Sequence, residues 1–118
     1  MPDPRRIETR DELDGIFRES ALRPVFLLKH STRCGASAAA WRDFRDFAAA
    51  HEAAPVGWAV LEIPERRELA EEVAQRTGVP HESPQILLLR DGIAAWHASR
   101  WRISGTALAR ALERAHAP

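Results

Sequence analysis

Apolar residues along the chain fall into two kinds of spacing, one helical and one extended. Leu13, Ile16 and Phe17 follow Thr9-Arg10-Asp11-Glu12 at helical intervals. That tetrad has the form of a capping box, in which the Thr9 hydroxyl and the Glu12 carboxylate satisfy the amides that open a helix. A first helix is therefore predicted near residues 10–20. Pro24 then opens Val25-Phe26-Leu27-Leu28, four apolar residues without alternation. A strand buried on both faces reads this way, as in the middle of a sheet covered by helices. After a polar loop, His30-Ser31-Thr32-Arg33-Cys34-Gly35, come Ala36, Ala40, Phe44, Phe47 and Ala48 at intervals of three and four, with Trp41 beside them. They predict a second helix from about Cys34 to Ala50. Gly57 precedes a second mostly apolar strand, Trp58-Ala59-Val60-Leu61-Glu62-Ile63. A short helix with Leu69 and Val73 on its inner face should close near Gly78. Strand, helix, strand implies a parallel pair with a right-handed crossover.

The rest of the chain breaks that pattern. Gln85-Ile86-Leu87-Leu88-Leu89-Arg90, Asp91-Gly92 and Ile93-Ala94-Ala95-Trp96-His97 read as an antiparallel hairpin around a favoured turn dipeptide. Ser104 is placed to cap a last helix, Ile103 to staple to Leu108, and Leu108, Ala111, Leu112 and Ala115 to form its buried stripe. Residues 1–6 read as a ragged start, and Arg6-Ile7-Glu8 as a weak edge strand. The whole order is the thioredoxin-like α/β arrangement, a central mixed sheet of four or five strands flanked by helices, in one domain spanning 1–118. A flavodoxin-type fold is the alternative, but it would not end in a tight Asp-Gly hairpin.

Composition narrows the function. Seventeen basic residues balance seventeen acidic ones. A nucleic-acid binder living on phosphate neutralisation would show a basic excess, so nucleic acid is not an expected partner. No apolar run has the length of a membrane span, and the polar start MPDPRRIETRDE is unlike a signal peptide, so the expected location is cytoplasmic. Cys34 is the one cysteine. It can form no internal disulfide and no zinc site of several thiolates. No histidine pair has ligand spacing either, and no metal is expected.

Cys34 falls where a buried strand hands over to a helix. Unpaired amides and the positive end of the helix dipole favour thiolate over thiol there, and thiolate is the nucleophile. Residues 20–42 add Arg23, Lys29, Arg33 and Arg42 and no acid. A lone cysteine is ordinarily a small core hydrophobe, but Ser31, Thr32, Arg33, Gly35 and Ser37 are not core neighbours. Cys34-Gly35-Ala36-Ser37 has redox-motif spacing with serine in the second cysteine's place, which leaves monothiol exchange. Ser37 is expected among the substrate-binding residues; its bland reading is a small residue in a first helical turn. Ser83-Pro84 precedes the hairpin, where a thioredoxin-like fold has a cis-proline facing the cysteine and the Ser83 backbone is free to bind a substrate peptide; the bland reading is a trans-proline starting a strand. The hairpin's second strand returns to the cysteine end, bringing Ser99-Arg100-Trp101-Arg102 there, either as a ligand surface or as helix packing with solvated charge. His30 is read as a surface-loop histidine able to tune Cys34, and His81 and His97 as flanking one rim.

Three blocks carry a resemblance to a known family: Lys29-His30-Ser31-Thr32-Arg33-Cys34, His81-Glu82-Ser83-Pro84-Gln85 and Trp96-His97-Ala98-Ser99-Arg100-Trp101. Together they resemble the YtxJ family, the monothiol bacilliredoxins of the bacillithiol system, from about Ile7 to Leu112. The resemblance implies a thioredoxin-like fold that removes bacillithiol from mixed disulfides on client protein cysteines. Cys34 would be the nucleophile, Ser83-Pro84 the cis-proline site, and bacillithiol a low-molecular-weight co-substrate thiol, with no tightly bound cofactor. Bacillithiol carries carboxylates, so Arg33 and Arg100, with Arg102, are expected to bind it, and Trp101 to wall its sugar ring. The family more often has Pro-Ile where this chain has Gly35-Ala36, and glycine loosens a first turn. Gly35 after Cys34 is also similar to the Cys-Gly-Phe-Ser motif of monothiol glutaredoxins, which implies an iron–sulfur carrier as an alternative. A glycine-pair and aspartate motif that would bind glutathione is missing from 99–106. A non-catalytic interaction module is the third reading, and it would make Cys34 dispensable.

Overall fold

The computed structural model describes residues 4–32 and 35–116. Five strands form one sheet: β1 (Arg5–Arg6), β2 (Val25–Ser31), β3 (Gly57–Ile63), β4 (Gln85–Arg90) and β5 (Ile93–Ser99). Their order is β1-β3-β2-β4-β5, with β1, β3 and β2 parallel and β4 and β5 antiparallel. Four helices cover it: α1 (Arg10–Glu19), α2 (Gly35–Ala50), α3 (Arg67–Thr77) and α4 (Gly105–His116). The mixed sheet with its helical cover is the thioredoxin-like α/β arrangement expected from the order of elements. Among the described residues, no helix is long and apolar enough to cross a membrane.

Strand β2 lies in the middle, so its side chains meet helices on both sides. One face carries Phe26, Leu28, Trp58, Val60, Ile86 and Leu88 against Ala40, Phe44 and Phe47 of α2 and Leu108 and Ala111 of α4. Phe26 stacks on Trp58 with centroids 5.3 Å apart, and Phe47 meets both rings edge-on at 6.1 and 5.7 Å. The other face carries Val25, Leu27, Ala59, Leu61, Leu87 and Leu89 against Leu13 and Ile16 of α1 and Leu69 and Val73 of α3.

Local signals behave as their chemistry requires. Thr9 caps α1 in a complete capping box, its hydroxyl accepting from the Glu12 amide at 3.1 Å. Gly78 ends α3 at φ 74°, a left-handed cap that only glycine adopts without strain. The Asp91-Gly92 turn has φ 54° and 78°, the geometry of a tight hairpin matched to sheet twist. Buried Ser20 holds that turn, its carbonyl accepting from the Asp91 amide at 2.7 Å and its hydroxyl from the Gly92 amide at 2.9 Å. The Ser104 hydroxyl caps α4 by accepting from the Ala107 amide at 3.1 Å.

Several strand boundaries differ from expectation. Strand β2 runs on through Lys29, His30 and Ser31, beyond the apolar run and into the expected loop. The ladder to β3 continues there, Lys29 pairing with Leu61, His30 with Glu62 and Ser31 with Ile63, so backbone hydrogen bonding carries the strand past the last apolar residue. The edge strand is Arg5–Arg6, one step earlier than read, and pairs with Ala59 and Val60. Strand β5 reaches Ser99, two residues beyond His97, because Ser99 pairs with Gln85.

Candidate active site

The carboxyl ends of β2 and β3 and the amino end of β4 meet at one end of the sheet. There the Thr32 amide donates to the Ile63 carbonyl at 3.2 Å, and the chain leaves β2 for α2. Arg33 and Cys34 lie outside the described residues; in sequence they fill the step between Thr32 and Gly35, the first residue of α2. Ser37, in the first turn of α2, is fully buried, and its hydroxyl accepts from the Ser31 amide at 2.8 Å. That bond fastens the start of α2 to the end of β2. Ser37 is thus more than a small residue at a helix start: it is a structural hydroxyl turned inward.

Strand β4 approaches the same end from the other side. Gln85 pairs with Lys29, so Ser83-Pro84 lies past the last paired residues, where β2 gives way to α2. The Ser83-Pro84 bond is cis, as the topology suggested, and so is Ile63-Pro64, which the sequence reading did not single out. Strand β5 then returns. The Arg100 amide donates to the Pro84 carbonyl at 2.9 Å and opens a 3-10 turn, Arg100–Arg102, that packs against α2. Arg100 sits at φ 55°, a left-handed conformation in which a non-glycine residue is held only by its surroundings. Trp101 is 77% exposed, so the packing alternative for its ring does not apply. Of the residues singled out in sequence, the structure brings Ser37, Ser83, Pro84, Arg100, Trp101 and Arg102 to one end of the sheet.

His30 is not a loop residue. It closes β2 on the α2 side, half-buried, and stacks on Trp41 at 5.3 Å with rings 25° apart. Burial pushes its pKa below the ordinary 6.5, against an opposing pull from the Glu62 carboxylate. His97 is exposed on β5 opposite Leu87, within the hairpin, whereas His81 is half-buried in the loop before β4.

Sequence reasoning counts Lys29 among the cations near Cys34 and misses its burial. Lys29 is fully buried on the α1/α3 side, and its Nζ lies 3.2 Å from the His81 Nδ1. Burial lowers its pKa from 10.5 to about 8. Beside it, buried Gln85 donates through Nε2 to the Pro80 carbonyl at 3.1 Å and to the Ser99 hydroxyl at 3.3 Å. A signal was available, because Val25, Leu27 and Lys29 share one face of a strand that buries both faces. Lys29 is also the single lysine among seventeen basic residues.

This architecture places the chain among thioredoxin-fold proteins. A solved structure described as a candidate oxidoreductase with a thioredoxin fold matches at TM-score 0.82 and 29% identity, over 92% of each chain. The Malassezia sympodialis thioredoxin matches at TM-score 0.79 and 15% identity, over 99% of this chain and 94% of that one. The Fasciola hepatica thioredoxin matches at 0.75 and 17%, over 94% and 98%. The class is that of thioredoxin-like thiol oxidoreductases. Within it, residues 5–108 match the family model described as "Monothiol bacilliredoxin BrxC", and the chain belongs to that family.

Proposed function

We propose that this protein is a monothiol disulfide oxidoreductase that removes bacillithiol from mixed disulfides on client protein cysteines through Cys34. The observation that carries the reading is the pairing of a lone cysteine with a serine already committed elsewhere. The second position of the motif is Ser37, buried and bonded to the Ser31 amide, so no internal disulfide can form. The family match gives the type of thiol chemistry its support.

The chemistry runs in two exchanges. The Cys34 thiolate attacks the bacillithiol sulfur of a client mixed disulfide; the client leaves as thiolate, and Cys34 holds the bacillithiol as a new mixed disulfide. A second bacillithiol, as thiolate, attacks that sulfur and restores Cys34, leaving oxidised bacillithiol. The attacking bacillithiol sulfur is oxidised from thiolate to disulfide level as the client sulfur is reduced from disulfide to thiolate level, and the protein ends unchanged. Arg33, Arg100 and Arg102 supply cations for the carboxylates of the small thiol, Trp101 an apolar wall, and Ser83-Pro84 the surface that receives the client backbone. The protein needs no bound cofactor for this, and its partners are bacillithiolated clients and the small thiol itself.

Incubation with a bacillithiolated test protein, followed by intact mass, tests the reading. The client should lose the adduct while Cys34 gains it transiently. A client that keeps its adduct, in the presence of reduced protein and free bacillithiol, contradicts it.

A further inference from the structure

A lysine with no exposed surface ordinarily has a carboxylate beside it, because an isolated buried ammonium is poorly solvated. Lys29 has an imidazole instead. Its Nζ is 3.2 Å from the Nδ1 of His81, and no part of the side chain is exposed. Two groups in this contact, both able to carry a proton, hold one between them most favourably: the ammonium donates and the neutral ring nitrogen accepts. With two protons they repel, and with none the charge-assisted bond is gone.

His81 stands in the segment between α3 and β4, and that segment ends in Ser83-Pro84. Among the described residues, three contacts hold it to the sheet: the Pro80 carbonyl to the Gln85 amide group, the His81 ring to Lys29, and the Pro84 carbonyl to the Arg100 amide. Only the middle one can titrate between acid and mildly alkaline pH. We propose that Lys29 and His81 are a single-proton pair that positions the Pro80–Pro84 segment, so that affinity for a disulfide-bearing client follows the protonation of the pair. The affinity half of this rests on Ser83-Pro84 being the client surface, as read above; the pair itself does not.

The charges around the pair agree with this arrangement. Burial lowers the His81 pKa below 6.5, and Lys29 and Arg67 of α3 push it further down, while Glu71 of α3 and the neighbouring Glu82 oppose them. Burial alone lowers Lys29, to about 8. The one-proton state therefore spans neutral pH and ends on the acid side as His81 takes a second proton and on the alkaline side as Lys29 loses its own.

Two variants of the full chain test the proposal. Lys29→Met keeps an unbranched side chain of similar length without the proton. His81→Asn puts an amide oxygen near the Nδ1 position and does not titrate. By NMR, the wild-type His81 ring should titrate below 6.5, and Lys29→Met should move its midpoint upward. The amide order parameters of His81, Glu82 and Ser83 should fall in the same variant. In exchange assays, the KM for a bacillithiolated client should rise about tenfold in Lys29→Met and lose its pH dependence, with kcat little changed. His81→Asn should keep a low KM and show no rise in acid. An unmoved His81 midpoint in Lys29→Met overturns the pair. A moved midpoint with unchanged order parameters overturns the positioning role. A wild-type protein that fails to process the client contradicts the proposed function instead, and the NMR measurements still decide the pair.

Discussion

Strand β2 has two halves that face the same helices and serve opposite ends. From Val25 to Leu28 every side chain is apolar and fully buried, and the rings around Phe26 interlock with Trp58 and Phe47. From Lys29 to Ser31 the same strand buries an ammonium and part of an imidazole. The buried polar side-chain atoms without a hydrogen-bond partner, among the described residues, are His30 Nδ1, Arg66 Nε, Ser83 Oγ and Gln85 Oε1. All four stand at the second half's end of the sheet. Native interiors pair almost all such groups, and exceptions gather where a protein does something other than fold. The comparison teaches that one half of β2 supplies rigidity and the other a polar surface at which a nucleophile can work.

The sharpest way to break this division is to remove the nucleophile. Cys34→Ser should abolish exchange entirely and leave the melting temperature close to wild type. A folded variant with residual turnover would show that the chemistry lies elsewhere. Next in size is an injury to the apolar half. Phe26→Ala should cost about 3–5 kcal/mol in denaturant unfolding, because it empties a fully enclosed site. Exchange per folded molecule should hardly change; a matching loss of intrinsic rate would mean the two halves are not separable.

The polar half should answer in the opposite direction. Lys29→Met should stabilise the protein by about 1–3 kcal/mol near neutral pH, since a buried cation is replaced by an apolar side chain. The sign against pH follows from the lowered pKa. Between about 8 and 10.5 the unfolded chain holds the Lys29 proton and the folded chain has released it, so wild-type stability rises with pH across that window. Its deficit relative to Lys29→Met should shrink accordingly. A constant difference from pH 7 to 10.5 would show that Lys29 is not desolvated.

Much of this was readable before the fold. The capping box at Thr9, the Asp91-Gly92 turn and the Gly78 stop are local chemistry, and each sits where sequence placed it. Topology favours cis over trans at Ser83-Pro84 without deciding it, and the bond is cis. The polar loop expected from His30 onward is strand through Ser31, because the parallel ladder to β3 keeps the backbone extended past the last apolar residue. The Lys29 contact joins residues 52 apart in sequence, which no local pattern could show.

Smaller effects sharpen the comparison at its boundary. Ser37→Ala should cost about 1 kcal/mol through the lost acceptor for the Ser31 amide, and leave most exchange activity. Ser37→Ala as inactive as Cys34→Ser would give the hydroxyl a chemical role. Arg100→Ala should raise KM for a bacillithiolated client a few-fold, roughly the worth of one exposed ionic contact, and flatten its salt dependence. Its reaction with a small uncharged disulfide should stay as it was. Equal losses on both would mean Arg100 acts on the fold.

The most direct test of the central claim is the intact mass of the reduced protein after exposure to oxidised bacillithiol. The account predicts a single bacillithiol adduct on wild type, none on Cys34→Ser, and removal of the adduct when free bacillithiol is added. A wild-type mass that stays unchanged, or an adduct that free bacillithiol cannot remove, would contradict it.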